Sequence, residues 1–164
     1  MTYPASHFKG IPDGNLAVEN TLQMMKRETL RARASLPVRF TALRIVQGTP
    51  QKDRLSEIRK IHGFVRDSIR YVRDARDVEI LQSPEVTLDI GQGDCDDKAL
   101  LLSALLESIG FTTRFRAVGF NRGEYSHVLT DVLYNNEWLP LETTMPVEIG
   151  WEPPGQLSGL AMEF

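Results

Sequence analysis

Cysteine is nearly absent from this chain: Cys95 is the only one among 164 residues. A single cysteine excludes an intramolecular disulfide framework and any multi-cysteine zinc or iron–sulfur site, and it fits a reducing, cytoplasmic setting. A basic surplus is lacking too. Lys and Arg total 19 against 22 Asp and Glu, a net charge of −3. That balance argues against nucleic acid as the main partner, because phosphate binding needs excess positive charge. No long hydrophobic run occurs: the longest nearly apolar stretch, Ala99 to Leu106, is interrupted by Ser103 and is too short to cross a bilayer. Met1 to Ile11 is polar, aromatic and broken by Pro and Gly, so no secretory leader is expected. What is present, 41% hydrophobic and 25% charged residues, is the composition of a globular protein of one domain.

Residues 1–14 read as an irregular arm ending in the turn-rich Ile11-Pro12-Asp13-Gly14. From Asn15 the apolar residues Val18, Leu22, Met25 and Ala32 recur at helical spacing. Lys26, Arg27, Arg31 and Arg33 cluster in the second half of that helix. A solvated face explains them most simply; a docking patch for an acidic partner is the other reading. Pro37 opens a short helix to about Val46, so residues 15–50 form a helical N-terminal extension. Thr49 and Pro50 read as the N-cap and first position of the next helix, with the stripe Leu55, Ile58, Ile61, Val65, Ile69 and Val72. His62, beside this stripe, reads as a packed rather than a catalytic histidine. Residues 73–93 show no clean period and read mostly as loop.

The segment Lys98 to Ile109 is apolar around almost its whole circumference, which predicts a buried central helix stopped by Gly110. Strand-like stretches follow at 113–120, 126–134 and 137–143, the last two joined by a two-residue Asn135-Asn136 turn. The tail 146–164 reads as extended and irregular. Helices first and an antiparallel sheet after them make an α+β domain, with its core over 51–145.

Chemistry concentrates at Gly91-Gln92-Gly93-Asp94-Cys95-Asp96-Asp97. With Asp94 as N-cap, Cys95 takes the first helical position, where free backbone N–H groups and the helix dipole favour a thiolate and could hold an oxyanion. The three aspartates work against this by raising a thiol pKa, unless Asp96 and Asp97 point away from the sulfur. Taken alone, the cysteine reads more simply as a buried, inert thiol. A calcium loop starting at Asp94 is excluded because Ala99 stands where such a loop needs glycine, and no metal site is expected. The hairpin adds a second group. A two-residue turn places His127, Leu129, Asp131, Leu133, Trp138, Glu142 and Thr144 on one face. Glu142 is then a diagonal neighbour of His127 at roughly 7–8 Å by backbone, whereas Asp131 is roughly 13 Å along the strand. A carboxylate on one imidazole nitrogen leaves the other for a thiol.

Gly93-Asp94-Cys95-Asp96-Asp97-Lys98-Ala99, Ser126-His127-Val128 and Trp138-Leu139-Pro140-Leu141-Glu142-Thr143-Thr144 together resemble the transglutaminase-like cysteine peptidase superfamily. Tyr71 through Leu102, with Leu81-Gln82-Ser83-Pro84 ahead of the Gly-Asp-Cys, is similar to the compact transglutaminase-like proteins of bacteriophages and prophages. The resemblance covers residues 55–145 and implies a papain-like, transglutaminase-like core without a cofactor. It implies Cys95 as nucleophile, His127 as general base and Glu142 as orienting acid, although the family's third member is commonly Asp. Gln92, Gln82 and Asp96 become candidates for oxyanion support or the substrate loop, the two glutamines also reading as loop-holding residues. The implied chemistry is acyl transfer through a thioester on a protein or peptide substrate, with hydrolysis expected over transamidation. An inactive module serving phage structure or assembly is the alternative. Either implies a place in a bacterial cytoplasm or a virion, with no membrane partner.

Overall fold

The helix expected around Lys98–Ile109 forms over Cys95–Ser108, and Leu100, Leu101, Leu102, Ala104, Leu105 and Leu106 on it have no solvent exposure. Each fully buried leucine contributes about 1.5–3 kcal/mol, so enclosing this helix dominates the packing. The computed structural model describes residues 6–8, 15–74 and 79–164. In chain order its elements are β1 (Ser6–Phe8), α1 (Asn15–Ala32), α2 (Leu36–Val46), α3 (Arg54–Ser68), β2 (Arg70–Tyr71), β3 (Glu79–Leu81), α4 (Pro84–Ile90) and β4 (Gln92–Gly93). The central helix α5 (Cys95–Ser108) follows, then β5 (Thr113–Gly119), β6 (His127–Tyr134), β7 (Glu137–Leu141) and β8 (Ser158–Glu163).

The last four strands form one antiparallel sheet in the order β7-β6-β5-β8. Its inner face presents Phe115, Ala117, Val128 and Val132 to α5, and the Thr130 hydroxyl donates to the Ala99 carbonyl at 2.9 Å. Helices α2 and α3 close one side of α5 through Val38, Ala42, Ile58, Ile61 and Val65. On the other side α1 packs Leu22 and Met25 against Ala99, Leu100 and Phe115. The architecture is therefore the expected mixture of helices and antiparallel sheet. No helix among the described residues is long and apolar enough to cross a membrane.

Several local expectations are corrected. Within the 1–14 arm, Ser6–Phe8 form a strand that pairs antiparallel with β3, while residues 1–5 and 9–14 lie outside the described residues. Helix α3 starts at Asp53, whose carboxylate accepts the Ser56 N–H, and not at Thr49-Pro50; it ends at Ser68, so Val72 lies beyond it. The supposed loop 73–93 contains β3, α4 and β4. Pro84 opens α4 at a first-turn position behind the Ser83 cap, which is where proline is tolerated. The tail is not irregular throughout: Leu160 and Met162 of β8, with Phe164, cover the α1 side of the core. Three of the four basic residues of the 26–33 cluster have partners within the chain, Arg31 with Glu28 and Glu85, Arg33 with Glu107, and Lys26 with the Glu163 carbonyl.

Gly119, at the end of β5, allows the 120–126 loop to fold back. A Cβ there would stand 1.6 Å from the Glu124 carbonyl oxygen, a backbone atom that cannot step aside alone. Gly119→Ala is expected to lower stability by about 2 kcal/mol or more through overpacking. Denaturant unfolding measures it, and an unchanged midpoint would contradict this reading of the loop.

Candidate active site

The capping expected at the start of α5 is present in full. The Asp94 carboxylate accepts the N–H groups of Asp96 and Asp97 at 3.0 and 3.1 Å. The Asp97 carboxylate reaches back to the Asp94 N–H at 3.2 Å and accepts the Gln82 N–H at 2.8 Å. Neither Asp94 bond takes the N–H of Cys95, which stays at the helix start beside its own sulfur. Asp97 has no solvent exposure, and burial together with the Asp94 charge pushes its pKa up to about 8.

The sulfur has a less favourable setting than a helix start alone provides. Asp97 points away from it, as expected, but Asp96 does not: the Cys95 thiol donates to Asp96 Oδ1 at 3.3 Å. Burial, then the charges of Asp96 and Asp94, push the thiol pKa far up, while the Val128 backbone N–H pulls the other way. These effects together favour the protonated thiol. Asp94, Cys95 and Asp96 bring ligand atoms within 4.8 Å of one another. Asp94 serves there as the helix cap and Asp96 as acceptor of the thiol proton.

The hairpin has the register read from the sequence. Asn135 and Asn136 both adopt positive φ, and Tyr134↔Glu137 and Leu133↔Trp138 pair across the turn. Glu142 lies just past the end of β7, buried to 1% exposure, and its Oε2 accepts from His127 Nε2 at 2.5 Å. Its Oε1 accepts the Thr144 N–H at 2.6 Å and the Thr144 hydroxyl at 2.7 Å. Burial opposes the charge on Glu142, but His127 and Thr144 outweigh it and hold its pKa below the usual range. Glu142 is therefore an anion, and the His127 ring meets it through Nε2, which leaves Nδ1 as the ring nitrogen not bound to the carboxylate. Asp131 is occupied elsewhere, accepting from Arg114 Nε at 2.8 Å and from Arg116 Nε and Nη2 at 3.1 and 3.0 Å.

The structure thus joins His127 to Glu142 and brings Cys95 against Val128, the residue after His127. Among the described residues, the thiol's hydrogen bond runs to Asp96 and not to His127. Gln92 Oε1 accepts from Arg70 at 2.7 Å on the β2–β4 edge. Gln82 holds Asp97 through its backbone, and its side-chain oxygen is buried with no partner among the described residues. Two contacts escaped the sequence. His62, read correctly as packed, also donates from Nε2 to the Glu142 carbonyl at 2.5 Å. Lys98 is 1% exposed, and its ammonium caps the end of α3 through the carbonyls of Ile69 and Arg66 at 2.6 and 3.3 Å. Burial lowers its pKa to about 8 against the opposing charges of Glu142 and Asp67. A lysine in a helix with no polar face was the available signal for the second contact; none existed for the first.

The sequence pattern of the transglutaminase-like superfamily core matches residues 41–143. No curated protein matches the sequence. A solved structure of a candidate protease from Parabacteroides distasonis is similar over 87% of this chain and 27% of its own, at 12% identity and a TM-score of 0.62. A candidate cysteine protease from Cytophaga hutchinsonii is similar over 78% of this chain and 46% of its own, at 14% identity and a TM-score of 0.55. At these identities the likeness is one of fold, and the chain spans less than half the length of either neighbour.

Because the Asp96 carboxylate penalises the thiolate, Asp96→Asn is expected to make Cys95 easier to ionise. Its titration midpoint, followed by ultraviolet thiolate absorbance, should fall by about one pH unit or more. An unmoved midpoint would show that the Asp96 charge does not act on the sulfur.

Proposed function

This chain belongs to the transglutaminase-like superfamily, and from that premise we propose that it is a cysteine-dependent acyl-transfer enzyme acting on protein or peptide amides. The observation that carries the reading is the His127–Glu142 pair, an imidazole whose Nε2 is held by a buried carboxylate so that Nδ1 is left as a base. Since the thiol rests protonated, His127 acts as a general base during attack and not as half of a standing ion pair.

In the acylation step the Cys95 S–H proton passes to His127 Nδ1 as sulfur bonds to the substrate carbonyl carbon. The negative charge on the carbonyl oxygen is met by the Cys95 N–H at the start of α5, with Gln92 and Gln82 as side-chain candidates beside it. The imidazolium, stabilised by Glu142, then protonates the leaving amine as its bond to carbon breaks, giving a thioester. Water attacks next, losing its proton to His127, and the C–S bond breaks to release the acid and restore the thiol. A primary amine in place of water gives transamidation; hydrolysis is the proposed outcome because water needs no second site. Asp96 accepts the hydrogen bond of the resting thiol.

One observation favours a second reading. The thiol proton is directed at Asp96 and the third member is Glu142 in place of the common Asp. A non-catalytic module in a phage particle or its assembly, as the resemblance around Tyr71–Leu102 suggests, fits that arrangement.

p-Nitrophenyl acetate separates the two. Wild type is expected to release a burst of p-nitrophenol with one acetyl group on Cys95 by intact-protein mass spectrometry, a burst absent in Cys95→Ser and His127→Ala. Release without acetylation of Cys95 in the folded wild type would overturn the enzyme reading and leave the binding module. Glutamine-containing peptides with and without a primary amine then divide hydrolysis from transamidation.

A further inference from the structure

Glu142 sits one residue beyond the last β6–β7 pair, Thr130↔Leu141, so the sheet ladder does not fix its backbone. A glutamate also has one more torsion to immobilise than an aspartate, which raises the entropy cost of aiming its carboxylate. Two groups outside the Cys95–His127–Glu142 set meet both needs. His62, on α3 and 80 residues away in sequence, donates Nε2–H to the Glu142 carbonyl at 2.5 Å. Thr144 turns back on the side chain with its N–H and hydroxyl, both on Oε1, leaving Oε2 to His127.

We propose that His62 and Thr144 are positioning residues for the reaction, fixing the backbone and the carboxylate of Glu142 so that one oxygen alone faces His127. The inference rests on the acyl-transfer reading above. The donor has to be a ring protonated on Nε2, since a carbonyl only accepts. His62 is 1% exposed, and that burial lowers its pKa in spite of the Glu142 carbonyl and of Glu148 and Asp67; Arg66 reinforces the lowering. The consequence is that α3, packed on α5 through Ile58, Ile61 and Val65, sets the position of the acid, while the sheet sets that of the histidine.

Four variants of the full chain test this: His62→Gln and Thr144→Ser keep the side-chain donor, while His62→Leu and Thr144→Val remove it, the Thr144 backbone N–H remaining on Glu142 Oε1. The readouts are the rate of Cys95 acetylation by p-nitrophenyl acetate, the His127 tautomer by nitrogen-15 NMR, and the thermal midpoint. The variants without the side-chain donor are expected to acetylate about 10- to 100-fold more slowly, as small misplacements of catalytic groups do, and to show a mixture of His127 tautomers. The donor-keeping variants should return both readouts close to wild type. A purely structural role would lower the thermal midpoint yet leave the tautomer and the rate unmoved in folded Leu and Val variants, and that result overturns the proposal. Wild-type acetylation that ignores His127→Ala overturns the enzyme reading and this inference with it, a failure recognisable because it shows without any of the four variants.

Discussion

Everything in this molecule is arranged around a helix that cannot face water. Helix α5 has apolar side chains on all sides, so α1, α2, α3 and the four-stranded sheet are needed to enclose it. Only its ends can meet solvent, and only the N-terminal end carries free donors and the positive end of the dipole. The cysteine stands at that end. The enclosure that excludes water from the leucines therefore also fixes the sulfur against β6, where the strand that begins with His127 arrives. Lys98, one turn in, ties the same helix to the end of α3, so the position of the cysteine and that of the acid behind the histidine share one framework.

The electrostatics of the site are divided. The helix start and the Val128 N–H favour a thiolate; burial, Asp96 and Asp94 oppose it and win. A permanently ionised cysteine would be more reactive toward any electrophile. In the proposed mechanism the proton is retained until His127 takes it, and His127 is held by Glu142, which receives three hydrogen bonds.

What the sequence made legible follows from the range over which each determinant acts. The Asn135-Asn136 turn, the cross-strand register and the Asp94 cap are set by residues within a few positions of one another, and each is present as read. The all-round apolar pattern was enough to place α5. Short elements were not legible: β1, β3, β4 and β8 owe their existence to strands distant in sequence, and α4, within the stretch read mostly as loop, begins with Pro84 in its first turn. The direction of Asp96 is a rotamer choice with no local signature. The His62 contact with Glu142 spans 80 positions and is created by the packing of α3 alone.

The central claim is that His127 removes the proton of a thiol that does not ionise by itself. The alkylation rate of Cys95 by iodoacetamide across the pH range, in wild type and His127→Ala, tests it most directly. The account predicts appreciable reaction at neutral pH in wild type, and in His127→Ala a rate that stays low until well above the ordinary thiol value of about 8.5. Superimposable profiles for the two proteins would contradict it.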